Sequence, residues 1–141
     1  MLIRDAQAGD AEAIVALLAD LDYPAGVEFI ESQISLMRGN PDSVLWVSEI
    51  NRQVCGFISL HFIPQLPLEG DFCRISYLCV SGEHRGAGIG QRLLERAESL
   101  AAERGCDRME VHSHSRRVRA HQFYARADYE ESPKYLIKRL R

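Results

Sequence analysis

Three glycines at alternate positions, Gly86, Gly88 and Gly90, stand in the run Arg85-Gly86-Ala87-Gly88-Ile89-Gly90. Glycine takes left-handed dihedrals without steric cost and lets a ligand come close to backbone N–H groups. A helix starting behind such a run adds unpaired N–H donors and the positive end of its dipole. Together these form a seat for a phosphate or pyrophosphate, and Arg85 adds a fixed positive charge at its mouth. The plain alternative is a tight glycine turn that binds nothing. Spacing excludes two other phosphate loops. A Walker loop needs Gly-Lys followed by Ser or Thr, whereas Gly90 is followed by Gln91 and Arg92. The dinucleotide fingerprint G-x-G-x-x-G fails from either start: counted from Gly86 the third glycine falls at 90 rather than 91, and counted from Gly88 the third place is Leu93.

Other reactive side chains are weaker signals. His112 and His114 lie on one face of a strand and suit a metal, but no third ligand has matching spacing, so no metal is expected. Cys79 is a conceivable nucleophile, yet no neighbouring sequence feature activates it, and it reads as a small packed residue. Arg116, Arg117, Arg119 and Arg126 gather around one short segment and read first as a solvated face. Phe123-Tyr124, taken alone, reads as a pair of core aromatics.

The elements that must hold these residues alternate in type. A strand is expected over residues 1–6. A helix follows, capped by Asp10, with Ile14, Leu17, Leu18 and Leu21 on one face; Asp22-Tyr23-Pro24 breaks it. A second helix covers about 27–38, with Gly39 as its stop. Residues 44–50 and 54–62 are rich in β-branched and aromatic side chains and form a hairpin through Asn51-Arg52. After a loop at 64–70, a third long strand runs over 74–80 and turns out through Ser81-Gly82-Glu83. The clearest helix covers 90–104. Ile89, Leu93, Leu94, Ala97, Leu100 and Ala101 form its apolar stripe, and Gly105 ends it. A strand over 108–113, a short helix over 116–126 and a last strand over 135–140 complete the order β-α-α-β-β-β-α-β-α-β, an α/β fold with a mixed sheet.

Length and composition narrow the function. The chain has 141 residues, enough for one domain with a sizeable core. Its formal charge of -3 lacks the basic footprint of a nucleic-acid binder. No apolar stretch approaches the length of a membrane span, and the first residues lack the apolar core of a signal peptide. The four cysteines, Cys55, Cys73, Cys79 and Cys106, form no C-x-x-C pair and read as reduced thiols, so a cytoplasmic location is expected.

With these residues in place, the chain resembles the GNAT N-acetyltransferase family. The family's pyrophosphate loop reads Arg/Gln-x-x-Gly-x-Gly/Ala, which Arg85, Gly88 and Gly90 match in register. Ile3-Arg4-Asp5-Ala6 with Asp10 is similar to its opening strand and first helix, and Ala120-His121-Gln122-Phe123-Tyr124 with Asp128-Tyr129-Glu130 to its last helix motif. The chain departs from the family at Asp128, where glycine is usual, and at His114, where Asn is common. Ser76 and Tyr77 stand where some relatives carry a carboxylate base.

The resemblance implies one acetyltransferase domain over 1–141, with a mainly antiparallel sheet splayed between its central strands. It implies acetyl-coenzyme A as cosubstrate, with pyrophosphate on the amides from Arg85 through Gly86, Ala87, Gly88 and Ile89 to Gly90. The pantetheine arm would lie along Leu78, Cys79 and Val80, with Phe123 beside it. It implies Tyr124 as the acid that protonates the leaving thiolate, and a strand N–H such as that of Cys79 as oxyanion donor. The base stays open among Glu69, Asp71, Glu110, His112 and a water chain. The arginines near the last helix gain a second reading, contact with the 3′-phosphate of coenzyme A. Glu28, Glu31, Asp20 and Asp22, around the first two helices, suit a cationic acceptor. The expected acceptor is a small-molecule amine, with a peptide acceptor or a non-catalytic acyl-coenzyme A sensor as alternatives. No nucleic acid or membrane partner is expected, and a homodimer is an assembly that many relatives adopt.

Overall fold

The computed structural model describes residues 1–112, 118–131 and 136–141. It divides into two compact units, Met1–Glu110 and Val111–Arg141. The first holds strand β1 (Leu2–Asp5), helices α1 (Ala11–Ala19) and α2 (Val27–Arg38), strands β2 (Ser43–Ile50), β3 (Gln53–Ile63) and β4 (Phe72–Val80), and helix α3 (Ile89–Glu103). Strand β5 (Arg108–Val111) starts in it, and helix α4 (Val118–Arg126) belongs to the second unit. The strands lie in the order β1-β2-β3-β4-β5, with β1 through β4 paired antiparallel.

Local chemistry accounts for the connections. Asn51 and Arg52 both have positive φ, 51° and 65°, the left-handed pair that a two-residue hairpin needs to match strand twist. α3 ends in a Schellman motif: the N–H of Cys106 donates to the carbonyl of Ala101 and that of Gly105 to Ala102, with Gly105 at φ 74°. Asp10 departs from the expected side-chain cap. A 3-10 turn over Ala8–Asp10 precedes α1, so the Asp10 carboxylate faces back, accepting from the Gln7 N–H at 2.7 Å and from both terminal nitrogens of Arg4. The bond from Arg4 holds that carboxyl below the usual carboxylate range.

Each face of the sheet has its own core. α1 and α2 bury Ile14, Leu17, Leu18, Ile30 and Ile34 against Val47, Phe57 and Cys79. α3 packs on β3 and β4, and its buried stripe is Ile89, Leu93, Leu94, Ala97 and Ala101. Ile58, Leu60 and Ile75 are buried in the alternate phase of their strands, facing that helix. Truncating Leu93 to alanine in such a core costs about 2–5 kcal/mol.

One expectation changes at the C-terminal end. Residues 136–141 form no strand, and they are exposed, so the apolar Leu136, Ile137 and Leu140 are not held against a sheet among the described residues. Residue 135 lies outside the described residues, as do 113 of the strand expected over 108–113 and 116 and 117 of the last helix.

Candidate active site

The glycine run forms the entrance to α3. Gly86 and Gly88 take φ 85° and 77°, and Gly88 is the residue before the first helical turn. No side chain caps this end and its first turn holds no acid, so the leading amides have no acceptor within the helix. Among the described residues a Cβ on Gly86 or Gly88 would meet nothing within 4 Å, so these glycines are set by their dihedrals rather than by a close approach. Arg85 and Ala87 are exposed, while Ile89 is buried and anchors the turn to the core. A row of backbone donors with a cation beside it is a seat for an anion.

The strand leading into this turn presents a second set of backbone groups. The Ser81 N–H donates to the Cys55 carbonyl at 2.8 Å, which makes Ser81 and Cys55 a hydrogen-bonded pair. Antiparallel ladders alternate, so Cys79 and Phe57, two places on, are also hydrogen-bonded. Leu78 and Val80 fall between them, opposite Ile58 and Gly56, and aim their N–H and C=O away from β3. This corrects the oxyanion donor expected at Cys79. Its N–H is turned into the ladder, and its thiol donates to the Leu17 carbonyl of α1 at 3.2 Å. The donors that face outward belong to Leu78 and Val80.

In the second unit, α4 ends in another Schellman motif. The Tyr129 N–H donates to the Tyr124 carbonyl and the Asp128 N–H to that of Ala125, with Asp128 at φ 68°. Tyr124 is gripped between two rings, with centroids 5.1 Å from Phe123 and 5.4 Å from Tyr129. Burial pushes its phenol above the usual tyrosine value.

The residues considered as bases are scattered. Glu69 is exposed in the loop before β4, and the Asp71 carbonyl accepts the Asp107 N–H. Glu110 is engaged by Arg108 at 3.0 Å and Arg74 at 3.6 Å. His112 is exposed; His114, Arg116 and Arg117 lie outside the described residues. Sequence reading missed a group beside β4: His61 Nδ1 is 2.7 Å from Ser76 Oγ, and Arg74 is the cross-strand partner of His61. Burial and the Arg74 charge lower the His61 pKa. The composition of β3 and β4 carries no signal for this cluster, because strand register creates it.

The sequence profile of the acetyltransferase (GNAT) family matches residues 12–129. The chain belongs to this family. It is an acyltransferase, and the family generally uses acetyl-coenzyme A as cosubstrate. The aminoalkylphosphonate N-acetyltransferase of Salmonella typhimurium is 30% identical over 135 residues, 92% of this chain and 85% of that protein. Among solved structures, a transcriptional regulator from Bacillus halodurans C-125 superposes with a TM-score of 0.90 at 24% identity, over 99% of both chains. Glucosamine-6-phosphate N-acetyltransferase from Arabidopsis thaliana superposes with 0.87 at 18% identity, over 99% of this chain and 98% of its own. At those identities the structures speak to the GNAT fold alone. Among the described residues no helix is long and apolar enough to cross a membrane.

Proposed function

We propose that this GNAT chain acts as a single cytoplasmic N-acetyltransferase domain over residues 1–141, moving the acetyl group of acetyl-coenzyme A onto the amine of a small molecule by direct attack in a ternary complex. The observation that carries this reading is the uncapped start of α3, with its left-handed glycines fronting open space. The pyrophosphate takes the amides between Arg85 and Gly90. The pantetheine amides pair with the outward groups of Leu78 and Val80, and one of those N–H groups receives the oxyanion as the amine attacks. Phe123 packs beside the thioester end. Tyr124 gives its proton to the departing thiolate; its raised pKa keeps the O–H in place at neutral pH. The acceptor, an ammonium with a pKa of about 10, first loses a proton, directly or through water. That the Salmonella relative is named for a small amine acceptor supports a small molecule here.

Calorimetric titration tests the cofactor. Acetyl-coenzyme A binds in the micromolar range, dephospho-coenzyme A binds more weakly, and NAD does not bind. Absence of acetyl-coenzyme A binding overturns the reading. A panel of small amines against peptides then separates a small-molecule enzyme from a peptide acetyltransferase, and transfer to no acceptor identifies a sensor.

A further inference from the structure

The stretch of β3 and β4 beyond α1 carries more positive charge than it neutralises. α1 covers Phe57 and Cys79, and Tyr23, just past its end, meets Tyr77 with ring centroids 5.4 Å apart. Further toward the start of β4 lie Ser76, Arg74 and Phe72, facing His61 and Ile63 of β3. The ladder slips one residue here: Tyr77 pairs with Ser59 and Ile75 with Leu60, leaving Ser76 as the extra, bulged residue. The bulge aims the Ser76 hydroxyl at the His61 ring. Arg74 and Arg108 both lie over the Phe72 ring, 5.4 and 5.9 Å from its centroid, and share one carboxylate, Glu110. Arg108 also donates to Gln65 at 3.1 Å. Two guanidiniums and an imidazole thus face one acid.

Arg74 is the least satisfied member. Its Nε is buried, and among the described residues nothing accepts a hydrogen bond from it. Its contact with Glu110, at 3.6 Å, is longer than a charge-assisted hydrogen bond. Its side chain as a whole stays 37% exposed, so a ligand oxygen can approach the guanidinium from solvent. Such a face repels a plain ammonium and favours a molecule that brings its own negative charge.

We propose that Arg74, His61 and Ser76, with Arg108 behind them, hold a tetrahedral oxyanion on the acceptor, so that the acceptor is a short-chain amine bearing a phosphonate or phosphate. This deepens the acetyltransferase reading and rests on it. Donors converge from two strands and a bulge, more than the two oxygens of a carboxylate serve. Ser76 lies two residues before Leu78, about 7 Å along the strand. That span suits a short aminoalkyl chain between the anion and the N–H assigned to the thioester. Burial and the Arg74 charge lower the His61 pKa. A seated dianion offsets Arg74 and Arg108 and raises it.

The test reads the His61 imidazole by NMR during a pH titration, with His61→Gln assigning the signal and methylphosphonate as probe. Methylphosphonate raises the His61 pKa in the native protein and leaves it unmoved in Arg74→Met. No shift in the native protein, or an equal shift in the variant, overturns the subsite whether or not the chain transfers acetyl groups. A shift without transfer to any amine keeps the subsite and removes the transferase reading. In steady state, Arg74→Met raises KM for 2-aminoethylphosphonate by about 30-fold. It raises kcat/KM for propylamine, whose ammonium no longer meets the Arg74 charge, and Arg74→Lys recovers part of the loss for the phosphonate. Phosphoethanolamine and β-alanine complete the panel; a preference for β-alanine or propylamine over both phosphorus compounds overturns the proposal. The thermal midpoint of Arg74→Met serves as the folding control.

Discussion

The start of α3 and the end of α4 both turn on left-handed residues, yet they use them in opposite ways. At Gly86 and Gly88 the turn leads into a helix start that no side chain caps, and a Cβ on either glycine would meet nothing within 4 Å. At Asp128 the turn closes on itself, so that the N–H groups of Asp128 and Tyr129 return to α4 carbonyls. Under the proposed function, the same dihedral serves ligand binding in one place and helix termination in the other. Only the first needs glycine for what lies outside the chain. The second accepts Asp because a short polar side chain tolerates left-handed backbone. Its closure has its own consequence, since it stacks Tyr129 on Tyr124 and fixes the ring assigned to proton transfer.

Substitutions at the two turns separate these roles. The largest effect is expected from Tyr124→Phe, which keeps the ring stack but removes the acid. Turnover falls roughly 10²-fold, with an unchanged thermal midpoint; full activity in the variant would make the α4 turn a purely structural device. Next, Gly88→Val forces a β-branched residue into the left-handed region, a strain of order 1–3 kcal/mol. Calorimetry should show acetyl-coenzyme A affinity dropping about 10-fold or more, and native affinity would show that the amides do not hold the phosphates. A smaller loss, about 1 kcal/mol in urea unfolding, is expected for Gly105→Ala at the end of α3, where the turn is closed and no ligand is involved. The smallest effect has the opposite sign: Asp128→Gly stabilises by about 0.5 kcal/mol, and a destabilised variant would mean that the Asp128 side chain does more than tolerate its dihedral.

The sequence showed some parts of this molecule and hid others for definite reasons. Local signals worked wherever one segment decides its own structure: the apolar stripe of α3, Gly105 at its end, the Asn51-Arg52 hairpin, and the glycine turn that opens α3. They missed Asp10, whose carboxylate is claimed by Arg4 rather than by its own helix. They misassigned the Cys79 N–H, because only the pairing of Ser81 with Cys55 reveals which β4 groups point outward. The last strand is absent over 136–140, because apolar residues in a segment say nothing about whether a partner strand is present. The Arg74, His61 and Ser76 cluster was out of reach, being assembled by cross-strand register and a one-residue bulge.

That register has a consequence for how such a protein changes over generations. The proposed phosphate seat at α3 and the outward groups of β4 are main-chain atoms, which most residue types supply alike once Gly86 and Gly88 set the turn. The charged patch on β3 and β4 is made of side chains, each rewritten by a single codon. If the proposed sites hold, replacing His61, Arg74 or Ser76 changes acceptor preference while the cofactor seat, carried by the backbone, stays in place.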